Sequence, residues 1–298
     1  MIASGALRRW ARTATVGLVA SAAFLAPAPG IAQSPPMPRV PAGVTAAGAV
    51  LIDQATGDVL MGRDVYTTRA MASTTKIMTA VVVLETPGLD LDRWVPVKSV
   101  YRRYAIDRGA STAHLHVSDR LTVRQLLYGL MLPSGCDAAY ALADTFGRGG
   151  TRAARTAEFI SRMNAKARAL QLSRTRFGSF DGLAGASTNH TTPRSLARLA
   201  AYALGNVAFA SIVRTRVTSV PARTASGARR IYTWENTNKL LGRYWGLVGV
   251  KTGSTMASGP CLVFAVTRGG RTLVGVVLDS ASSDARFRDA RLILDAAR

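Results

Sequence analysis

The order of hydrophobic and polar positions divides this chain into strand-like ends and a helical middle. Two short apolar stretches near the beginning, Ala49–Ile52 and Asp58–Met61, predict a pair of strands joined by an Asp53-x-x-x-Gly57 turn. The segment Ala72–Glu85 is apolar at nearly every position. A helix with no polar face is expected in the interior, so this segment predicts a buried central helix.

Helical periodicity continues through the middle of the chain, and strand-like alternation returns in the last third. The helix candidates are Thr122–Leu132, Asp137–Phe146, Thr151–Leu170, a helix that begins at Thr192-Pro193, and a closing amphipathic helix at Ser283–Ala297. The later strand candidates are Val213–Val220, Arg229–Trp234, Leu247–Thr252, Cys261–Thr267 and Thr272–Leu278. We therefore expect an α/β (α+β) fold with one antiparallel sheet flanked by helices and an inserted helical lobe at about 67–205. A ligand cleft is expected between the lobe and the sheet.

The first 32 residues have the composition of an export signal. Three arginines precede the apolar run Thr13–Leu25, and Gly30-Ile31-Ala32 offers small residues for cleavage. Because this run is too short to favour a membrane span, we expect cleavage and export to the periplasm or the extracellular side of the cell envelope. An uncleaved signal that acts as an anchor is the alternative. The expected organisation is a signal peptide at 1–32, a linker at 33–46 and a catalytic domain at 47–298.

The chain is strongly basic, with 38 Lys and Arg against 17 Asp and Glu and a formal net charge of +21. The basic residues are scattered in runs no longer than two and do not alternate with aromatic residues, so we expect no nucleic-acid partner. Most of these charges are expected to be solvated. Their long-range attraction would hold an exported protein near an anionic envelope.

Cysteine and histidine add little to this picture. Cys136 and Cys261 are too few for a disulfide framework, and we expect free thiols, although one disulfide between them is the alternative. The three histidines lack a third ligand at a recognisable spacing. We therefore expect neither a metal site nor a cofactor.

The first chemical signal is Ser73-Thr74-Thr75-Lys76, at the start of the predicted central helix. Residues at i and i+3 share a helix face, so the Lys76 amine can reach the Ser73 hydroxyl, and the free N–H groups of the helix start favour an oxyanion there. Only five of the 38 basic residues are lysines. A lysine amine can lose its proton and act as a base, whereas an arginine cannot.

The S-x-x-K motif alone occurs often by chance, but two further motifs strengthen its interpretation as part of an active site. Ser134-Gly135-Cys136 lies between two predicted helices, and Lys251-Thr252-Gly253 lies at the end of a predicted strand. In this order, the three motifs are the serine, S-x-N-like and K-T-G elements of penicillin-recognising acyl enzymes.

On these residues the chain resembles the low-molecular-mass D-alanyl-D-alanine carboxypeptidases, penicillin-binding proteins of serine peptidase family S11, from about Ala47 to Leu294. The segments that follow the family pattern include Ala72–Ala80, Leu121–Val123, Leu126–Leu130, Asp137–Ala139, Met163–Ala167, Asp181–Leu183, Asn236–Lys239 and Gly249–Gly253. The resemblance implies the transpeptidase fold shared by penicillin-binding proteins and serine β-lactamases.

The resemblance also implies a substrate and a set of roles. The substrate would be a peptidoglycan stem peptide ending in D-Ala-D-Ala, and β-lactams would acylate the same serine. Ser73 would be the nucleophile, Lys76 its base and Ser134 a proton relay, with an oxyanion hole formed by the N–H groups of Ser73 and Ser254. The implied substrate-binding residues are Cys136, Lys251, Thr252, Gly253, Ser254 and Thr255.

Two features depart from the family pattern. Cys136 stands where most relatives have Asn, so the residues do not decide whether carboxypeptidase or transpeptidase activity dominates. The thiol is either reactive or a small side chain that fills the space of the Asn. Many relatives continue into a β-rich domain and a membrane anchor, whereas this chain stops at Arg298, so we expect neither here. A slow or non-catalytic penicillin-binding wall protein is the main alternative. A β-lactamase is a weaker one, because Glu158 does not have the spacing of a deacylating glutamate.

Overall fold

The computed structural model describes Met1 and residues 37–297. The predicted signal segment, apart from Met1, lies outside the described residues, as do residues 33–36 of the predicted linker. The strands are β1 (Gly48–Asp53), β2 (Val59–Arg63), β3 (Arg69–Ala70), β4 (Trp94–Pro96), β5 (Arg120–Thr122), β6 (His190–Thr191), β7 (Val217–Arg223), β8 (Arg229–Glu235), β9 (Leu247–Thr255), β10 (Gly259–Arg268) and β11 (Arg271–Leu278). The helices are α1 (Lys76–Leu84), α2 (Ser99–Asp107), α3 (Val123–Met131), α4 (Cys136–Phe146), α5 (Arg152–Ala169), α6 (Pro193–Leu204), α7 (Val207–Arg214) and α8 (Ala285–Ala296).

A five-stranded antiparallel sheet joins the two ends of the described chain in the order β2-β1-β11-β10-β9. Every residue of β1 is buried, because both faces of the sheet are covered. One face packs against helices of the central region, and the other packs against α8. The predicted antiparallel sheet with flanking helices is confirmed for these strands.

The prediction of a single sheet is wrong for the hairpin β7–β8. This hairpin pairs with β5, and β5 pairs with β4, so that a separate four-stranded sheet has the order β4-β5-β7-β8. Both β4 and β5 have only three residues, and they are too short to give a recognisable alternation.

The central helix is as buried as its sequence predicts. Residues Lys76 to Val83 of α1 are all buried, and the 3₁₀ turn Ala72–Thr75 precedes the helix. The predicted start of α6 is also confirmed, since the Thr192 hydroxyl accepts a hydrogen bond from the Ser195 N–H and Pro193 occupies the first turn.

The segment 37–46 differs from a linker. Arg39 bridges to Gly62 of β2, and Val40, Val44 and Ala46 are buried in the cluster beneath α8. The prolines that suggest a linker are therefore accompanied by apolar side chains that pack onto the sheet.

Among the described residues, no single helix has the length and apolar content of a membrane span. The consecutive helices α6 and α7 reach that length only together, and they meet at a bend of 106°.

Candidate active site

Ser73 lies in the 3₁₀ turn that leads into α1, and Lys76 is the first residue of that helix. The distance between the Lys76 Nζ and Ser73 Oγ atoms is 2.9 Å, while Lys76 itself is fully buried. The contact predicted from the i, i+3 spacing is therefore formed, with the hydroxyl at the surface of the cleft and the amine behind it.

The Lys76 amine has two other partners. Its Nζ atom lies 2.9 Å from the backbone oxygen of Asp181 and 3.3 Å from the Cys136 Sγ atom. Neither partner is a carboxylate that would fix a proton on the amine. In all three contacts the Lys76 amine is the hydrogen-bond donor, which accounts for its three donor positions.

Asp181 and Gly182 are functional residues that the sequence motifs do not assign to the site. The buried Asp181 carboxylate accepts hydrogen bonds from the Tyr104 hydroxyl at 2.9 Å and from the Leu183 N–H at 3.0 Å, which orients the peptide group facing Lys76. Gly182 has a φ of 96°, and a Cβ there would lie 2.0 Å from the backbone oxygen of Ala72. Only glycine allows this loop to approach the 3₁₀ turn that contains Ser73 so closely. The match of Asp181–Leu183 to the family pattern is the sequence signal that could have indicated that this loop lies beside Lys76.

Ser134 lies in the short loop between α3 and α4 and has a φ of 67°. Its carbonyl oxygen accepts a hydrogen bond from the Ser111 hydroxyl at 2.7 Å, and the Cys136 N–H donates to the Ser111 carbonyl at 2.9 Å. Within the described residues the buried Ser134 hydroxyl has no hydrogen-bond partner. Because a buried hydroxyl is normally bonded, this group is available to a bound substrate.

Cys136 is buried and free, as is Cys261, so the prediction of free thiols is confirmed. Burial raises the pKa of the Cys136 thiol, and the nearby Lys76 cation opposes that effect only in part. The thiol is therefore neutral near pH 7 and serves Lys76 as a weak hydrogen-bond partner.

The strand β9 brings the third motif against the first. A Cβ at Gly253 would lie 3.0 Å from the Ser73 nitrogen, so the absence of a side chain permits the close approach of β9 to the 3₁₀ turn that contains Ser73. Thr237 links β9 to the Ser134 loop, since its hydroxyl lies 2.6 Å from that of Thr252 and its N–H donates to the Leu132 carbonyl. The three sequence motifs therefore converge on one cleft.

Lys251 is as deeply buried as Lys76, and its amine donates to the backbone oxygen of Thr252 at 3.0 Å. Burial holds the pKa of Lys251 well below its usual value, and repulsion from the Lys76 and Arg286 cations adds to this shift. Arg286, which sequence reasoning missed, donates to the Gly253 carbonyl at 3.1 Å. In the described part of the chain, no carboxylate forms an ion pair with these three cations. The cleft is thus prepared for an anionic group from outside.

The last two predicted site residues lie at the end of β9. Ser254 is exposed, whereas the Thr255 hydroxyl and N–H both contact the Ser258 hydroxyl at 3.0 Å. Across residues 37–297, no group of three or more His, Cys, Asp or Glu side chains is arranged to hold a metal ion.

Comparisons with known proteins agree with this arrangement. The sequence profile of the D-alanyl-D-alanine carboxypeptidase family matches residues 32–282. The chain is 46% identical to the D-alanyl-D-alanine carboxypeptidase of Streptomyces sp. strain K15, over 97% of this chain and 98% of that protein. It is 34% identical to the D-alanyl-D-alanine carboxypeptidase DacB2 of Mycobacterium tuberculosis, over 82% of this chain and 76% of that protein.

The fold is similar to the crystal structure of the Streptomyces K15 DD-transpeptidase, with a TM-score of 0.83 and 49% identity, over 85% of this chain and 96% of that chain. This likeness confirms the transpeptidase fold expected from the motifs. The chain therefore belongs to the D-alanyl-D-alanine carboxypeptidase family of serine peptidases, peptidase family S11.

Proposed function

We propose that this protein is a serine D-Ala-D-Ala carboxypeptidase and transpeptidase that acts on peptidoglycan stem peptides through an acyl-enzyme at Ser73. The observation that carries the proposal is the buried Lys76 amine, 2.9 Å from the Ser73 hydroxyl and without a carboxylate partner in the described residues. A serine needs such a base to become nucleophilic.

Acylation begins when the Ser73 Oγ atom attacks the carbonyl carbon of the penultimate D-Ala and its proton passes to the Lys76 Nζ atom. The N–H groups of Ser73 and Ser254 stabilise the negative oxygen of the tetrahedral intermediate. The C–N bond then breaks, and the Ser134 hydroxyl delivers a proton to the departing nitrogen while Lys76 returns its proton to Ser134. The products of this step are free D-Ala and an ester at Ser73.

The terminal carboxylate of the substrate binds at the Lys251 end of the cleft. Lys251 and Arg286 supply positive charge there, and the Thr252 and Thr255 hydroxyls supply further donors, with Gly253 leaving room beside Ser73. A bound carboxylate would keep a proton on Lys251. The proposed role of Lys76 requires that its amine be uncharged when Ser73 attacks, so that it can accept the Ser73 proton.

The ester is resolved by a water molecule, which gives carboxypeptidase activity, or by an amine of a second stem peptide, which gives transpeptidase activity. Cys136 presents a thiol, a weaker hydrogen-bonding group than an amide, beside the amine that must activate either acceptor. The related Streptomyces K15 protein carries both names, carboxypeptidase and DD-transpeptidase. We propose that this chain catalyses both the hydrolysis of the ester and its transfer to an amine.

β-Lactams are proposed to acylate Ser73 as covalent inhibitors, because their strained amide mimics the scissile bond. The β-lactamase alternative finds no support, since a glutamate that activates the deacylating water has to lie beside the serine. Glu85 pairs with Lys166, Glu158 accepts a bond from the Arg148 N–H, and Glu235 lies on β8.

A role on peptidoglycan requires the protein to act outside the cytoplasm, so we retain export by a signal peptide at 1–32 and a catalytic domain at 47–298 as proposals. The association with the envelope would not need a stable membrane anchor, because the net charge, +21 for the whole chain and +18 without the three arginines of residues 1–32, attracts anionic surfaces. Neither nucleic acid nor a cofactor has a part in the proposed reaction.

The test is release of D-Ala from a diacyl-Lys-D-Ala-D-Ala peptide, with and without an amine acceptor. We expect free D-Ala in both reactions and an exchanged product when the amine is present. The Ser73→Ala variant should release none, whereas a control variant at an exposed serine on α5, Ser161→Ala, should match the unaltered protein. A stable penicillin adduct without D-Ala release would instead favour the non-catalytic wall protein. Rapid turnover of penicillin would favour the β-lactamase.

A further inference from the structure

The outer face of the sheet β4-β5-β7-β8 carries an unusual arrangement of arginines. Arg120 of β5 lies directly opposite Arg223 of β7, and Arg223 lies directly opposite Arg229 of β8. Residues directly opposite on antiparallel strands project from the same face, with Cβ atoms about 5 Å apart. The three side chains therefore form one row across three strands, which we call the arginine row.

The row belongs to the solvent side of this sheet. The inner side is formed by buried residues such as Ala222 and Trp234, while all three arginines are exposed. Trp234 donates to the carbonyl of Ala113, so the inner side packs against the loop that continues from Ser111. The row consequently faces away from the cleft that holds Ser73.

No acidic side chain of the described residues neutralises the row. Asp119, next to Arg120 in the chain, pairs with Arg230 on the inner side, and Asp92 pairs with Arg124. Glu235 is exposed on the same face as the row but lies at the opposite end of β8 from Arg229. Like charges directly opposite one another destabilise a sheet, so the arrangement is unfavourable unless an anion bridges the three groups.

Arg223, the middle member, is held in place by an aromatic ring. Its guanidinium carbon lies 4.3 Å from the centre of the Trp94 ring. Stacking uses the flat face of the guanidinium and leaves the N–H groups in its plane free to bind an anion in a forked geometry. The middle arginine of the row is therefore oriented by its contact with Trp94.

We propose that the arginine row is a binding surface for a linear phosphodiester polymer of the cell wall. The Cβ atoms of the row lie about 5 Å apart, so long arginine side chains that start there can reach successive phosphates of one chain, and arginine forks bind phosphate oxygens in pairs. A lipid surface fits less well, because Arg223 stacks over Trp94 and the described large apolar side chains exposed on this face of β7 and β8 are only Val217 and Ile231. Polymer bound here would hold the cleft, on the other side of this sheet, near the wall.

The test measures binding of delipidated poly(glycerol phosphate) to the full chain at several salt concentrations. Replacing the row by Arg120→Gln, Arg223→Gln and Arg229→Gln together should weaken binding by about tenfold or more and reduce the slope of log K against log salt by about 2. The matched control removes three other exposed arginines, by Arg148→Gln, Arg168→Gln and Arg291→Gln. Its affinity should fall by less than about threefold, since only the general field changes.

An equal loss in the control variant would overturn the proposal, because overall charge would then explain the binding. Equal affinity for polygalacturonate, a carboxylate polymer, would overturn the assignment to phosphate. Binding to phosphatidylglycerol vesicles without binding to the polymer would identify a membrane surface instead. The Ser73→Ala protein should bind the polymer normally, so the result does not depend on the proposed reaction. Thermal unfolding of each variant checks that it is folded, and the single variant Arg229→Gln serves if the triple variant is not.

Discussion

Like charges stand side by side in two regions of this protein, with opposite consequences. Lys76 and Lys251 are both buried, and burial together with mutual repulsion lowers the pKa of Lys251 far below its usual value. The arginine row is exposed, so water screens its charges and a guanidinium retains its proton in any case. The comparison shows that burial beside a second cation lowers the pKa of a lysine, here Lys251. The exposed arginines stay charged, so they can bind anions but cannot act as bases.

The largest expected effect comes from replacing Lys76, the proposed base, by a residue that remains charged. Lys76→Arg should slow acylation by benzylpenicillin by about 10³-fold or more, because the guanidinium cannot accept the Ser73 proton. Stopped-flow measurement of adduct formation gives the rate. Lys166→Arg, at a lysine paired with Glu85 on the surface, is the control and should leave the rate unchanged. A Lys76→Arg rate within tenfold of normal would mean that Lys76 is not the base.

The second prediction concerns the thiol beside the buried lysines. Burial raises the pKa of Cys136 and raises that of Cys261 to about 11, so both thiols should be neutral at pH 7. Alkylation by iodoacetamide should be about 10²-fold slower in the native protein than in the unfolded one, as followed by mass spectrometry. The Cys261→Ser variant isolates the reaction of Cys136. Rapid alkylation of that thiol below pH 7 would show that Lys76 stabilises the thiolate after all.

The third prediction uses the pH dependence of stability. Lys251 has a pKa of about 10.4 when unfolded and a much lower one when folded, so the folded state binds fewer protons between these values. The free energy of unfolding should therefore rise with pH above the folded pKa, by up to about 1.4 kcal/mol per pH unit, and level off above pH 10.4. Urea unfolding from pH 7 to 10.5 measures it.

The Lys251→Met variant should lack this rise. Lys239→Met removes an exposed lysine and should keep it. Parallel curves for the unaltered protein and Lys251→Met would show that burial does not lower the pKa of Lys251.

The smallest expected effect is in the arginine row. Removing one exposed like charge by Arg229→Gln should raise the free energy of unfolding by about 0.5 kcal/mol at low salt, and the gain should vanish near 1 M salt, where charges are screened within about 3 Å. Denaturant titration measures the change, and Arg102→Gln on α2 is the control. A loss of stability at low salt would indicate that the three charges are not in repulsive contact.

Much of the fold could be predicted because its central features are local. The apolar composition of α1 and the Thr192-Pro193 start of α6 are visible in a few neighbouring residues. The pairing of β7 with β5 could not be predicted, since it depends on distant three-residue strands. The helix α7 was missed because its last residues were interpreted as the start of a strand at Val213.

Some residues of the candidate site could likewise be predicted from the sequence, and others could not. Ser73 and Lys76 could be paired from their spacing, and the other two motifs from their order along the chain. Lys76 contacts the backbone oxygen of Asp181, an atom that every residue has, so only the match of Asp181–Leu183 to the family pattern could have indicated this contact. Arg286 lies among 33 arginines and cannot be distinguished from surface charges without the structure.

The most direct measurement is the location of bound penicillin. After reaction with benzylpenicillin and proteolysis, mass spectrometry should find the adduct on the peptide that contains Ser73, and the Ser73→Ala protein should carry none. An adduct on Ser134 or Cys136, or persistent labelling of Ser73→Ala, would contradict the assignment of the nucleophile.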